Sequence, residues 1–296
     1  MNSRIQNFFR IGTLLWMSYP AADPMEAMKK IICDPYFEAL ELPPLPNQEE
    51  RRQAAGLFSA SLVTAGCGYH PVMLEKGLNP NALCEEERIR CQKWMLETLD
   101  QAYEMGCTGV AYLAGKYDSS QLPQHLDQLD KTTSTLCAYA QKKNMTVELE
   151  IFDYDFDKSV LVGPCEMAAD FAKNIRKRFD NFGLLADLSH FPLTRETSEK
   201  VFAVCAPYLT HFHIGNAVVE PDCEGYGDTH PRFGLPHSAN HLDTLVDFLK
   251  LLKRYTEEQK LSRPILSFEI KPRPYEDPDA VLAGSKRILD LAWSMV

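Results

Sequence analysis

A chain of 296 residues, 45% of them hydrophobic and 24% charged, can bury a sizeable core as an ordinary globular protein, and its length suits either two small domains or one large α/β barrel. The net charge of −10, from 31 Lys and Arg against 41 Asp and Glu, argues against a nucleic-acid binder, and no apolar run approaches the ~18 residues of a membrane helix. Nine scattered cysteines without a C-x-x-C pair point to reduced thiols and a cytoplasmic protein rather than a disulfide framework.

The N-terminal stretch "MNSRIQNFFRIGTLLWMSYPAA" loosely imitates a signal peptide. Arg10 splits its apolar run and the remaining "IGTLLWM" is short, so a first β-strand over 9–17 is expected. Further strands are predicted at 37–42, 57–65, 108–115, 145–153, 182–188, 208–215 and 264–270. Between them lie amphipathic helices. Residues 84–105 carry acidic residues in the first turn and stop at Gly106. Residues 240–259 place Leu242, Leu245, Val246, Leu249 and Leu252 on one face. Asp277 and Pro278 read as the N-cap and first position of the last helix. This alternation implies a parallel sheet, and eight repeats favour a single (β/α)8 barrel over 1–296. The G-x-G-x-x-G of a dinucleotide fold is absent near the start.

In such a barrel alternate strand residues point inward, and chemistry sits at the C-terminal strand ends. Glu148 and Glu150 share one face of "TVELEI", and His211 and His213 share one face of "HFHIG". Ser267, Glu269 and Lys271 share a face of "LSFEIK", and Asp187 lies on the face of Leu185. Each residue alone has an ordinary reading as a loop cap, an ion-pair partner or a satisfied barrel histidine. Together Glu150, Asp187, His213 and Glu269 end four consecutive strands, and three converging buried carboxylates repel one another unless a cation joins them. Three oxygen donors and one imidazole suit Mn²⁺ first, then Mg²⁺ or Co²⁺, whereas catalytic zinc prefers more nitrogen or sulfur. Glu148 and His211, one layer deeper, either orient these ligands or form a buried pair without a catalytic role.

The segments "LEIFD", "ADLSH", "HFHIGN" and "SFEIKP", in this order, resemble the sugar phosphate isomerase/epimerase family of xylose-isomerase-like TIM barrels. The likeness spans roughly residues 9–296. Its D-x-x-H and H-x-H-I-G motifs are specific to the superfamily but to no one reaction. The resemblance implies that Glu150, Asp187, His213 and Glu269 hold one metal, that Glu150 and Glu269 also transfer protons, and that His190 contacts substrate. It further implies proton abstraction next to a carbonyl through an enediolate. Two departures stand out: ketohexose epimerases carry a Glu where this chain has Phe156, and an Arg where it has Val219.

Abasic-site endonucleases of the same superfamily form a rival reading. Asp228 and His230 in "GDTHPRFG" resemble their extra ligand pair, and His70 in "GCGYHP" falls near another expected histidine. The fourth strand, however, ends "AYLAG" where those nucleases need a further His. Asp228, His230 and Arg232 are therefore expected in a substrate-binding lid over 216–239, the alternative being a surface turn. His70 and His190 are expected to touch substrate too. Lys271 would hold an anionic oxygen or form an ordinary ion pair. Catalytic subunits of C-glycoside deglycosidases are similar barrels that work with a small β-rich partner and act by β-elimination, and a sugar-binding barrel without turnover is a third reading. The expected partner is a carbohydrate, whether free sugar, sugar phosphate, keto-glycoside or inositol derivative. Homo-oligomer and small β-rich partner subunit both stay open.

Overall fold

The computed structural model describes residues 4–296. Eight strands appear in chain order: β1 (Arg10–Thr13), β2 (Ala39–Leu42), β3 (Thr64–Gly68), β4 (Gly109–Tyr112), β5 (Thr146–Ile151), β6 (Phe182–Asp187), β7 (Leu209–Gly215) and β8 (Ile265–Glu269). All pairings are parallel, in the order β1-β8-β7-β6-β5-β4-β3-β2. At the remaining seam β1 and β2 are joined by a bridge between Leu14 and Glu41, and by the Glu38 N–H donating to the Ile11 carbonyl at 2.8 Å. With helices between the strands, this is a nearly closed (β/α)8 barrel.

Period-two alternation produces it. Leu40, Leu42, Val147, Leu149, Phe212, Ile214, Leu266 and Phe268 are all fully buried on the outer face beneath the helices. The inward positions Glu41, Gly66, Gly109 and Thr146 follow one another in register from β2 to β5, and Glu148, one layer on, pairs with Ala111. Helix ends obey local chemistry. Asp277 accepts the Ala280 N–H at the start of Pro278–Ser294, and three glutamates open Glu85–Glu104, complementing the helix dipole. The expected helix over 240–259 spans Leu242–Glu258. No helix among the described residues is long and apolar enough to cross a membrane.

Two predicted strands need correction. The run 57–65 is mostly the end of a helix, Gln48–Ser61, and β3 begins only at Thr64. Ala54 and Phe58, four apart, are buried while Ser59 and Ala60 are exposed, which is helical spacing. Leu62, in the left-handed conformation (φ 61°), ends that helix. The predicted strand 9–17 stops at Thr13, and a short helix Leu15–Ser18 follows, swinging Trp16 and Met17 over the mouth of the barrel.

Candidate metal centre

Glu150, Asp187, His213 and Glu269 end β5, β6, β7 and β8, and each is buried. One donor atom from each lies within 4.8 Å of the other three. His213 Nδ1 is 2.6 Å from Glu269 Oε2. The Ser189 main-chain N–H (2.7 Å) and hydroxyl (2.5 Å) both donate to the Asp187 carboxylate and fix its plane. Glu150 Oε1 has no hydrogen-bond partner. It lies 3.2 Å from His190 Nδ1, but that N–H is directed to the Ile151 carbonyl at 3.1 Å. His70 Nε2 is 2.8 Å from Glu150 Oε2 yet off-line for a hydrogen bond. An orphaned buried carboxylate oxygen beside two further carboxylates and an imidazole is the donor set a divalent cation fits.

The charged groups of the ring act on one another. Burial raises the Asp187 carboxyl above its ordinary range, with Glu269 adding to it against His190. Burial also acts against Glu269, but His230 and His213 outweigh it and hold that group low. Burial opposes protonation of His213, and Glu41 and Glu269 overcome it, lifting the imidazole well above its usual value.

A second tier of groups surrounds this ring. Asp228 and His230, from the segment between β7 and Leu242–Glu258, are buried beside His190. Asp228 Oδ1 is 2.8 Å from His230 Nε2 and 3.4 Å from His190 Nε2. His190 donates through Nδ1 to the Ile151 carbonyl, and its Nε2 has no hydrogen-bond partner. Phe152 packs against the His190 ring at 4.1 Å between centroids, tilted by 55°. Burial disfavours a charged His190, but Asp187 and Asp228 raise its pKa well above the usual value. His230 is likewise lifted against burial, by Glu269 and Asp228, to about 9.

Residues 36–284 match the family model for the xylose isomerase-like TIM barrel. The chain belongs to this family. Among solved structures, this xylose isomerase-like barrel is similar to the IolI protein with a bound zinc atom (TM-score 0.75, 14% identity, 97% of this chain and 98% of that one). It is also similar to a putative xylose isomerase from Rhodospirillum rubrum (TM-score 0.72, 15% identity, 97% and 99%). A third similar structure is the 3-keto-D-glucoside 4-epimerase YcjR from E. coli (TM-score 0.67, 15% identity, 95% and 98%). At these identities the likeness establishes the shared fold. No curated protein sequence matches the chain.

Above the ring, the xylose isomerase-like barrel opens into a cleft of about 960 Å³. His70, Asp228, His230, Glu269 and Lys271 line it, with Trp16, Met17, Leu74 and Phe152 forming an apolar wall. Lys271 is exposed at the rim, and its main-chain N–H donates to the His230 carbonyl at 2.7 Å. Arg232 sits apart: it pairs with Glu276 at 2.6 Å and lines a neighbouring groove instead. Phe156 packs on Tyr226 at 5.3 Å, forming an aromatic clasp where ketohexose epimerases are expected to have a carboxylate. A comparable groove of about 1050 Å³ at the opposite end, lined by Tyr36, Glu38 and Arg263, holds none of these groups. Sequence reading missed Glu41, Ser189 and Asp153. Glu41 was detectable in principle, because Ala39 and Glu41 alternate with Leu40 and Leu42 in "FEALEL".

Proposed function

We propose that this chain is a divalent-metal-dependent sugar isomerase or epimerase that moves a proton next to a carbonyl. The observation carrying this reading is the buried ring of Glu150, Asp187, His213 and Glu269 around an unpartnered Glu150 oxygen. These four would hold the metal, Mn²⁺ by preference, with Mg²⁺ or Co²⁺ as alternatives. When bound, a divalent ion supplies positive charge to substrate oxygens while the adjacent C–H loses its proton. Glu150 takes that proton as general base, and Glu269, on a different strand, returns one to the neighbouring carbon or to the opposite face of the same carbon. His190 donates from its unpartnered Nε2 to a substrate oxygen. His70, Asp228, His230 and Lys271 are proposed to bind hydroxyls along the cleft, and Phe152 keeps water from His190. Likeness to a 3-keto-D-glucoside 4-epimerase supports sugar chemistry.

The breadth of the cleft favours a second reading. A wall of Trp16, Met17, Leu74 and Phe152 in about 960 Å³ suits a sugar that carries an apolar substituent. The same proton abstraction, beside a keto group on the sugar, would then expel that substituent by β-elimination.

The test is turnover of keto sugars and keto-glycosides, with metal content per chain by plasma mass spectrometry. Wild type should hold a divalent ion that Asp187→Asn loses. Glu150→Gln should reduce turnover by about 10²–10⁴-fold with an unchanged circular dichroism spectrum. Wild-type turnover in Glu150→Gln would overturn the role of Glu150.

A further inference from the structure

Below the ring the barrel contains a feature the proposed reaction does not use. Glu41, on β2 at the seam, is 1% exposed and extends across the barrel interior to β7. Its Oε1 is 3.1 Å from His213 Nε2 and 3.1 Å from His211 Nε2, and its Oε2 is 3.2 Å from His213 Nε2. One carboxylate thus accepts from two imidazoles. His211 is gripped on its other side, where Nδ1 is 2.8 Å from Glu148 Oε2. Glu148 in turn accepts the Thr210 hydroxyl at 2.9 Å. Glu148, His211, Glu41 and His213 therefore form a continuous column ending at the ligand ring.

The neighbouring strands make room for it. A Cβ on Gly66, paired with Glu41 in register, would sit 3.1 Å from Glu41 Cγ. Barrel interiors of this type are ordinarily filled by branched aliphatic side chains. Here Gly66, Gly109 and Ala111 leave the space to long polar ones. No Lys or Arg shares the small cavity beside Glu41, which is lined by Cys67, Thr108, Glu148, Thr210 and His211.

The geometry points to Glu41 as a positioning residue, which fixes the His213 ring so that Nδ1 faces the three carboxylates, with His211 and Glu148 holding Glu41 in place. This inference rests on the metal centre proposed above. A histidine that ligates through one nitrogen is oriented by the acceptor on its other nitrogen, and loss of such an acceptor weakens metal binding by roughly 10–100-fold. Glu41 occupies that place for His213 and touches neither cleft nor ring carboxylate.

The experiment is titration of the metal-stripped full-length chain with Mn²⁺ in competition with a chelating dye, comparing wild type with Glu41→Gln. The amide is isosteric and keeps one acceptor oxygen. Its affinity should fall by roughly 10–100-fold, with the metal-free circular dichroism spectrum unchanged. In the Zn²⁺-loaded protein, ¹⁵N shifts of His213 should report metal on Nδ1 and a proton on Nε2 in wild type, and disorder of that assignment in the variant. Wild-type Mn²⁺ affinity in Glu41→Gln overturns the positioning role. A second bound ion that disappears in the variant also overturns it, because Glu41, His211 and His213 would then be ligands of their own site. If Glu41→Gln does not fold, Glu148→Gln replaces it. Weakened Mn²⁺ binding in that variant supports the column and unchanged binding sinks it. Failure of wild type itself to bind any divalent ion refutes the metal centre, a different result from equal binding by both proteins.

Discussion

Asp153 sits just past the end of β5, fully buried, and accepts hydrogen bonds from the main-chain N–H groups of Asp155, Phe156, Asp157 and Lys158 at 3.1, 2.6, 2.5 and 2.5 Å. The loop it organises brings Asp157 to the Asp228 N–H at 3.0 Å, and so braces the second tier of the site. Asp153→Ala should therefore destabilise the protein by about 2–3 kcal/mol, read from urea unfolding, since it strands several donors to a charged acceptor at once. Asp153→Asn should fall between the two. The residue stands in "LEIFD", but its work was not legible there, because the bonds depend on the chain turning back over it. Glu150, Asp187, His213 and Glu269 were legible for the opposite reason. Each sits at a fixed offset in an alternating strand, and alternation alone decides which way such a side chain points.

Among the elements, the second half of the barrel reads clearly. β5, β7 and β8 carry large apolar residues on one face and polar ones on the other. β3 is five residues, "TAGCG", of which two are glycine, and it offers no such contrast. The apolar run just before it belongs to the helix Gln48–Ser61. That helix ends on Leu62, 91% exposed and held at φ 61° with its N–H donating to the Phe58 carbonyl. An exposed leucine gains nothing there from burial and bears the steric cost of the left-handed region. Leu62→Gly should stabilise the chain by about 1 kcal/mol in chemical denaturation, a gain typical of glycine at a helix C-terminus. A destabilised variant would mean that lost chain entropy outweighs the strain. The segment between β7 and Leu242–Glu258 was legible only in part. Its D-x-H spacing marked Asp228 and His230, while the pairing of Arg232 with Glu276 is a tertiary contact without a sequence signal.

Across the whole molecule, the core is apolar between the strands and the helices, and ionisable inside the barrel at and below the ring. Three carboxylates of the ring, and Glu41 and Glu148 beneath it, are all under 9% exposed. Removing a bound divalent ion should therefore be felt by the entire fold. A ligand at a hundred times its dissociation constant contributes about 2.7 kcal/mol. For a chain of this size, chelation should lower the thermal midpoint by roughly 5 °C, checked by calorimetry with and without a chelator. An unchanged midpoint would place the ring among structural side chains that need no cation.

Glu41 and His213 are 172 residues apart in the chain, and the β1–β8 ladder joins residues farther apart still. Contacts of such separation carry the largest loop-closure cost and form late. During synthesis the strand bearing Glu41 leaves the ribosome long before β5 to β8, so Glu41 waits on an unfinished sheet for the ring residues to follow it. They become a centre only when the last strand closes against the first. Capture of an ion at this ring would then mark completion of the barrel, and a shortened chain ending before Glu269 would carry three of the four ligands without a site to hold them in.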